Sequence, residues 1–385
     1  MNLKNLGPRG LTTSAIAVLG LAAVAGCSTS GSGESAKVDP DQVSIGTVGT
    51  ADQFADITTM CGDEPVTVGL IDGVGINSWG KTMRAEVESE AAKCDNIESV
   101  EYQAARTDIQ AQNSALISMA SKGVDIIVIS SSAGGSLEAM KKATDAGSIV
   151  VPIAVDPMGE VGEDYLDYVD WIPQSLGTAW ATWMVEQLGE EGGNVVVLGG
   201  PAGNVVTDAV MEGITEVLAD NPQVDLLTTT PATTNWDPAQ AQQTMSGLLS
   251  KYSQIDGIIT DYGATAAGAI RAYEAAGVAL PPIATTDEND LSCGFANLQS
   301  ENPDYELATV SSRSWIGRVG LRKGLAAFQG TENHEPSRFE LGLFEDSTGR
   351  TDGSMTPEEA CVAGAPSDAT PSSLLTVEEM KSVFE

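Results

Sequence analysis

The sequence predicts an α/β protein of two similar lobes, each a mainly parallel sheet flanked by helices. Short apolar, β-branched runs alternate with amphipathic helical patterns along most of the chain, which implies βαβ crossovers. There are too many such runs for one comfortable sheet, and a break near residues 164–173 divides them into two sets. The chain of 385 residues is also long enough for two domains with well-buried cores.

At the start, Lys4 and Arg9 lead into an apolar run over residues 11–25. That run is too short and too rich in small residues for a settled transmembrane span. It ends in Val24-Ala25-Gly26-Cys27, which resembles a bacterial lipoprotein signal. The resemblance implies a signal peptide over residues 1–26, lipidation of Cys27 and anchoring to the cell membrane on its extracytoplasmic side. An ordinary secretory signal with a chance cysteine is the alternative. Residues 27–60 open rich in Ser and Gly and lack sustained periodicity, so they are expected to form a flexible tether.

The first unit of the body occupies residues 64–94. Residues 66–71 have the length and composition of a buried strand, residues 72–75 break it, and Asn77 or Ser78 can cap a helix starting there. Trp79, Met83, Val87, Ala91 and Cys94 recur every three or four residues, giving that helix one apolar face. Ligands of open α/β sheets settle at the carboxyl ends of strands, which places Asn77, Ser78 and Trp79 at a site mouth. Trp79 could instead be core, since its helix face points at the sheet, although its place at the first turn favours the site mouth.

The same grammar then repeats. Helices are expected over residues 111–121, 136–146, 175–188, 205–219, 238–251, 265–276 and 314–328. Strands are expected over 124–129, 149–154, 194–198, 224–230, 256–260, 283–286 and 307–311, with a further apolar stretch at 165–172. Asp156 and Asp287 end strands, where they can cap a helix, face a cleft, or do both. Trp236 sits in a polar, proline-flanked loop; Trp180 and Trp183 lie on a helix interior and suit packing. Trp171 and Trp315 fall near the expected crossings between lobes. The tail from Gly349, with Pro357, Pro366 and Pro371, is poorly periodic and is expected to wrap over a lobe.

Composition narrows the function. The formal net charge is −35 with a single histidine, so nucleic acid is not an expected partner, because phosphate binding needs clustered Lys and Arg. The excess acid reads as a solubility feature of the surface. There is no G-x-S-x-G elbow, no H-E-x-x-H and no histidine placed for a triad, and LGGPAGN lacks the ending of a phosphate loop. No enzymatic activity, cofactor or metal is therefore expected. Apart from Cys27, the cysteines are Cys61, Cys94, Cys293 and Cys361, an even number that suggests two disulfides in an exported chain. Of the three pairings, Cys61 with Cys94 and Cys293 with Cys361 is favoured. The first would pin the approach to the opening strand, and the second would clip the tail to the body. Four free thiols or a metal site is the alternative, although zinc would lack histidine partners.

Several ordered segments together resemble sugar-binding proteins of the ribose/galactose type, the type I periplasmic-binding-protein fold. They are GLIDGVGINSWGKTMRAEVESEA, KGVDIIVISSSAGGSLEAMKKATDAGSIVVPIAVD, NVVVLGGPAGNVVTDAVMEGITEVL, DGIITDYGATAAGAIRAYEAAG and IATTDEND, within residues 64–345. The resemblance implies an N-terminal lobe of residues 61–170 plus 313–335 and a C-terminal lobe of 171–312 plus 336–348. A three-crossing hinge would join them, with residues 349–385 as a tail packed on a lobe. It implies stacking aromatics at Trp79 and Trp236, with polar neighbours Asn77, Asn235 and Asp237. Carboxylates for sugar hydroxyls would be Asp156 and Asp287, with Tyr262 (or Asp261) and Ser312 or Arg313 as further contacts. Ribose binders often carry Arg where Pro157 and Asp208 stand, so a different sugar or a polyol is implied. An acidic cleft including Asp208 would also accommodate an amine, as in an amino sugar or opine-like compound. The implied function is a monomeric receptor passing a small carbohydrate to the permease subunits of an ABC importer. The alternatives are a sugar sensor for chemotaxis or a kinase, and a secreted enzyme using Asp156 with Asp287.

Overall fold

The computed structural model describes residues 42–75, 77–131 and 135–384. The expected signal peptide, Cys27 and the first part of the expected tether lie outside the described residues. From residue 42 the structure corrects the expectation of a tether, because Val43, Ile57 and Met60 are buried. In this segment β1 (Val48–Gly49) joins a small parallel sheet. Isolated apolar side chains at irregular spacing anchor this stretch, and such spacing leaves no periodic trace in the sequence.

A disulfide between Cys61 and Cys94 ties this stretch to the first lobe. In that lobe β2 (Val66–Asp72) is followed by α1 (Ser78–Ala91), β3 (Ile97–Ala104) and α2 (Ile109–Lys122). Then come β4 (Ile126–Ser130), α3 (Leu137–Asp145) and β5 (Ile149–Ile153). The four strands form a wholly parallel sheet in the order β3-β2-β4-β5. The expected 165–172 stretch supplies only β6 (Asp170–Trp171), through which the chain leaves the lobe.

The second lobe begins with α4 (Pro173–Leu188), β7 (Gly193–Gly199), α5 (Val205–Ala219) and β8 (Val224–Leu226). It continues through β9 (Ala232–Thr233), α6 (Pro238–Lys251), β10 (Gly257–Thr260) and α7 (Gly263–Ala276). After β11 (Ile283–Thr286), α8 (Asn289–Glu301) and β12 (Leu307–Val310), residues 311–315 lead the chain back to the first lobe. There α9 (Ile316–Gln329) packs on β4, β5 and α1. This close seating needs a glycine: a Cβ at Gly324 would stand 2.6 Å from Ile126 Cγ2. A third crossing through β13 (Arg338–Phe339) reaches β14 (Leu343–Asp346), antiparallel to β12 at the edge of the second sheet. That sheet runs β14-β12-β11-β10-β7-β8, with β9 beside the end of β7. The crossings at β6 and β13 pair with β1 as the small sheet β1-β13-β6.

Trp180 and Trp183 are buried on α4, and Trp183 Nε1 donates to Asp346 Oδ1 at 3.0 Å. Between α1 and α9 lies a buried ionic network. Arg318 pairs with Glu86 and Glu90, and Arg322 bridges Glu90 and Glu335 at 2.9 Å each. Lys323 Nζ donates to the carbonyl of Ser44 at 2.6 Å, fixing the segment ahead of β1. Beyond β14, a disulfide joins Cys361, just after α10 (Pro357–Ala360), to Cys293 of α8. The chain ends in α11 (Val377–Phe384), packed on α1. The tail thus bears on both lobes, whereas a single lobe was expected. Among the described residues no helix is long and apolar enough to cross a membrane.

Candidate functional site

The carboxyl ends of both sheets face one cavity of about 860 Å³. From the first lobe, β2 delivers the start of α1. Asn77 caps that helix, its Oδ1 accepting from Gly80 N at 2.9 Å, so its amide sits at a fixed place on the cavity wall. Ser78 comes next, and its hydroxyl meets that of Tyr262 across the cleft. Asp72 at the end of β2 is buried and turned inward, accepting from Val74 N and Gly75 N; burial pushes its carboxyl up.

The second lobe supplies more of the wall. After β9 the chain turns through Asn235 and Trp236, both in the left-handed region with φ of 53° and 54°. Consecutive non-glycine residues there are costly and need surrounding structure to hold them. Trp236 N–H donates to Thr234 Oγ1, and Trp236 Nε1 donates to Asp261 Oδ1 at 3.1 Å. The indole lies close against Gly200, where a Cβ would stand 2.4 Å from Cε2, so glycine is required for the seat. Asp261 also accepts from Thr207 Oγ1 at 2.6 Å and Gly200 N at 3.2 Å. Burial pushes its carboxyl up while these donors pull it down. Asp237 caps α6, with Oδ1 accepting from Gln240 N at 2.8 Å.

Asn77, Asn235, Trp236, Asp237 and Tyr262 therefore share the cavity. The other residues named from the sequence lie elsewhere. Trp79, Asp287 and Arg313 gather at the second crossing. Trp79 Nε1 donates to Ser312 O at 2.8 Å, so this indole bridges the lobes through the crossing strand. Asp287 is buried, accepting from Ser312 N at 2.5 Å and from Ser372 N of the tail at 2.6 Å. Arg313 is 8% exposed, with φ 52° and its guanidinium 3.6 Å over the Trp171 ring. Its Nε and Nη1 find no acceptor among the described residues, and burial lowers its pKa to about 10 against the pull of Asp170, Asp261 and Asp287. Asp156 is exposed in a turn, accepting from Met158 N at 2.8 Å, and Asp208 is exposed on the first turn of α5. Neither lines the cavity, so the hydrolytic pair Asp156 with Asp287 is not brought together there.

Ser78, expected at the site mouth, lines the cavity, and Glu288 and Asp368 line it beyond the site residues inferred from the sequence. Glu288 adjoins Asp287, so a wider window around that strand end would have caught it. Asp368 lies in the tail and carried no local signal. Among the described residues, no cluster of His, Cys, Asp and Glu is arranged to hold a metal ion.

A cavity at the facing strand ends of two lobes, joined by three crossings, defines a two-lobed binding protein that encloses its ligand. Residues 68–297 match the family model described as periplasmic binding protein domain. The chain belongs to the periplasmic binding protein family. It is 30% identical over 200 residues to a xylitol-binding protein of Mycolicibacterium smegmatis, covering 51% of this chain and 55% of that protein. It is 28% identical over 125 residues to the D-allose-binding periplasmic protein of Escherichia coli, covering 32% and 40%. The chain thus matches about half of these relatives' lengths or less. In fold it resembles the arabinose-transporter binding protein of Shewanella sp. ANA-3, solved with α- and β-L-arabinofuranose. The TM-score is 0.65 at 20% identity, covering 72% of this chain and 91% of that one.

Proposed function

We propose that this protein is an extracytoplasmic receptor that encloses a small carbohydrate or polyol between its lobes and passes it to an ABC importer. The observation that carries the reading is the seat of Trp236, an indole held by Asp261 and Gly200 at the wall of the cavity. An indole face covers the C–H face of a sugar or extended polyol and excludes water. Around it, Asn77, Ser78, Asn235 and Tyr262 supply amide and hydroxyl groups suited to ligand hydroxyls. The volume falls within the range of about 300–1,000 Å³ usual for small-molecule pockets. Relatives named for xylitol and D-allose support the ligand class.

Binding in this scheme performs no chemistry. Closure is the output, and the contacts from Ser78 to Tyr262 and from Trp79 to Ser312 form between the first lobe and groups beyond it. The lipoprotein-like Cys27 supports a lipid anchor at the membrane surface, and a monomer is the working unit. A thermal-shift screen with xylitol, D-allose, L-arabinose, myo-inositol and D-ribose tests the reading. A ligand that binds only the folded state raises the midpoint in proportion to RT ln(1 + [L]/Kd). At least one compound should do so, and the shift should shrink in Trp236→Ala. Sustained turnover of a glycoside by the purified protein would replace the receptor with an enzyme.

A further inference from the structure

We propose that the C-terminal tail completes the ligand cavity, and that Glu288 and Asp368 form a subsite there for a protonated amine on the ligand. This rests on the reading of the cavity as a site for a small polyhydroxylated molecule, and it narrows that class to aminated members.

The tail is fixed at the cavity edge from both lobes. On the second lobe, the disulfide Cys293–Cys361 is followed by Asp290 N donating to Ser367 O at 2.8 Å and Asn289 N donating to Ala369 O at 2.9 Å. Asp368 therefore sits between two residues pinned to the first turn of α8. Farther on, Ser372 N donates to Asp287, and Leu374 N donates to Glu86 Oε1 of α1 at 2.7 Å. Leu374 O accepts from Arg318 Nη2 at 3.3 Å. With both flanks held, the Asp368 carboxylate is a fixed part of the wall.

Glu288 is the partner. It occupies the N-cap position of α8, yet its side chain makes no capping bond. The residue is 7% exposed and lines the cavity, and the forces on its carboxyl are burial and neighbouring charges. An unpaired buried carboxyl is costly, and a ligand donor offsets that cost. Asp290, exposed, and Asp368, half-buried, add their carboxylates to the same wall. The acid Asp237 is occupied as a cap, and the cation Arg271 turns its Nη2 toward Pro238 O at 3.4 Å. Burial and the neighbouring Asp368, Asp290 and Asp287 push the Glu288 carboxyl up to about 8. A neutral hydroxyl leaves Glu288 in its protonated form; an ammonium group offsets the charge of Asp368 and Asp290, favours ionised Glu288 and donates to the carboxylates.

The test is calorimetric titration of the full chain with matched pairs: D-glucosamine and D-glucose, D-galactosamine and D-galactose, glucamine and sorbitol. In at least one pair the amine should bind about tenfold or more tighter, the scale of a charge-assisted hydrogen bond. The amine-over-neutral affinity ratio should collapse in both Glu288→Gln and Asp368→Asn, while the unliganded thermal midpoint of Asp368→Asn stays unchanged. Neutral members binding as well as or better than their amines overturns the amine subsite and leaves the carbohydrate receptor standing. Binding of no member, together with a silent neutral screen, overturns both. An amine preference that survives both substitutions places the amine elsewhere and overturns the assignment.

Discussion

The two lobes treat buried charge in opposite ways. In the first, Arg318, Arg322, Glu86, Glu90 and Glu335 are buried and paired with one another. In the second lobe and its crossings, Glu288 and Arg313 are also buried, yet the Glu288 side chain makes no capping bond and Arg313 Nε and Nη1 lack hydrogen-bond partners among the described residues. Desolvating a charge is tolerable when its partner is permanent, so the first network reads as an anchor for the tail, α9 and the segment before β1. Charges left unpaired at the same depth carry a cost that folding does not relieve, and their place beside a cavity or a crossing connects that cost with ligand capture.

The largest expected effect breaks the anchor. Arg318→Met leaves Glu86 and Glu90 without their shared guanidinium and should destabilise the protein by about 3–5 kcal/mol in urea denaturation. The folded fraction should keep most of its affinity, because Arg318 does not line the cavity and Asp368 stays held by Cys293–Cys361 and the bonds of Ser367 and Ala369 to α8. A large loss of affinity with intact stability would reverse the contrast between the lobes. Next comes Trp236→Ala, which removes the indole but keeps the Asp261 cluster. Losing the burial of one large aromatic is about 1.5–3 kcal/mol, so calorimetry should show affinity weakened about 10- to 100-fold.

The sequence conveyed the scaffold because strand and helix periods are local. Buried runs such as Ile126–Ser130 and Gly257–Thr260 are continuous apolar stretches that stand out against their surroundings. The edge strand Ile97–Ala104 was not legible, since it alternates half-buried and exposed positions and carries Glu98 and Glu101. The polar helix Asn289–Glu301 escaped for a similar reason, having few buried side chains. Within the site, Asn77, Trp236 and Tyr262 were legible because each follows a strand end. Asp287 also follows one, but Ser372, 85 residues farther along, donates to its carboxylate. Asp368 reaches the cavity through that same long-range docking. Neither fact has a local trace.

A smaller effect concerns protons. The Glu288 carboxyl, held at about 8 in the fold by burial and by Asp368, Asp290 and Asp287, ionises near the ordinary carboxylate range once unfolded. Between those values the native state binds more protons than the unfolded state, so this group makes stability fall as pH rises toward about 8. Arg271 opposes the shift without cancelling it. Glu288→Gln should flatten the decline in thermal midpoint between about pH 5 and 8. The buried Asp170 carboxyl, pushed up to about 7, contributes a decline of the same sign that persists in the variant. A slope identical in both proteins would mean that Glu288 is already ionised and paired.

The smallest expected effect sharpens the contrast most economically. Asp156→Asn keeps the size of a side chain that is exposed, engaged with Met158 N and outside the cavity. Surface substitutions of this kind change stability by within about 0.5 kcal/mol, and affinity should be equally indifferent. The position nevertheless resembles one at which ribose-type relatives hold a sugar hydroxyl, so the two lines of reasoning disagree about it. Titration of Asp156→Asn beside Asp368→Asn decides between them. Loss of affinity at Asp368 alone places the acidic ligand contact on the tail and second lobe. Loss at Asp156 alone would mean that the ligand draws the loop after β5 inward on closure, returning part of the acidic contact to the first lobe.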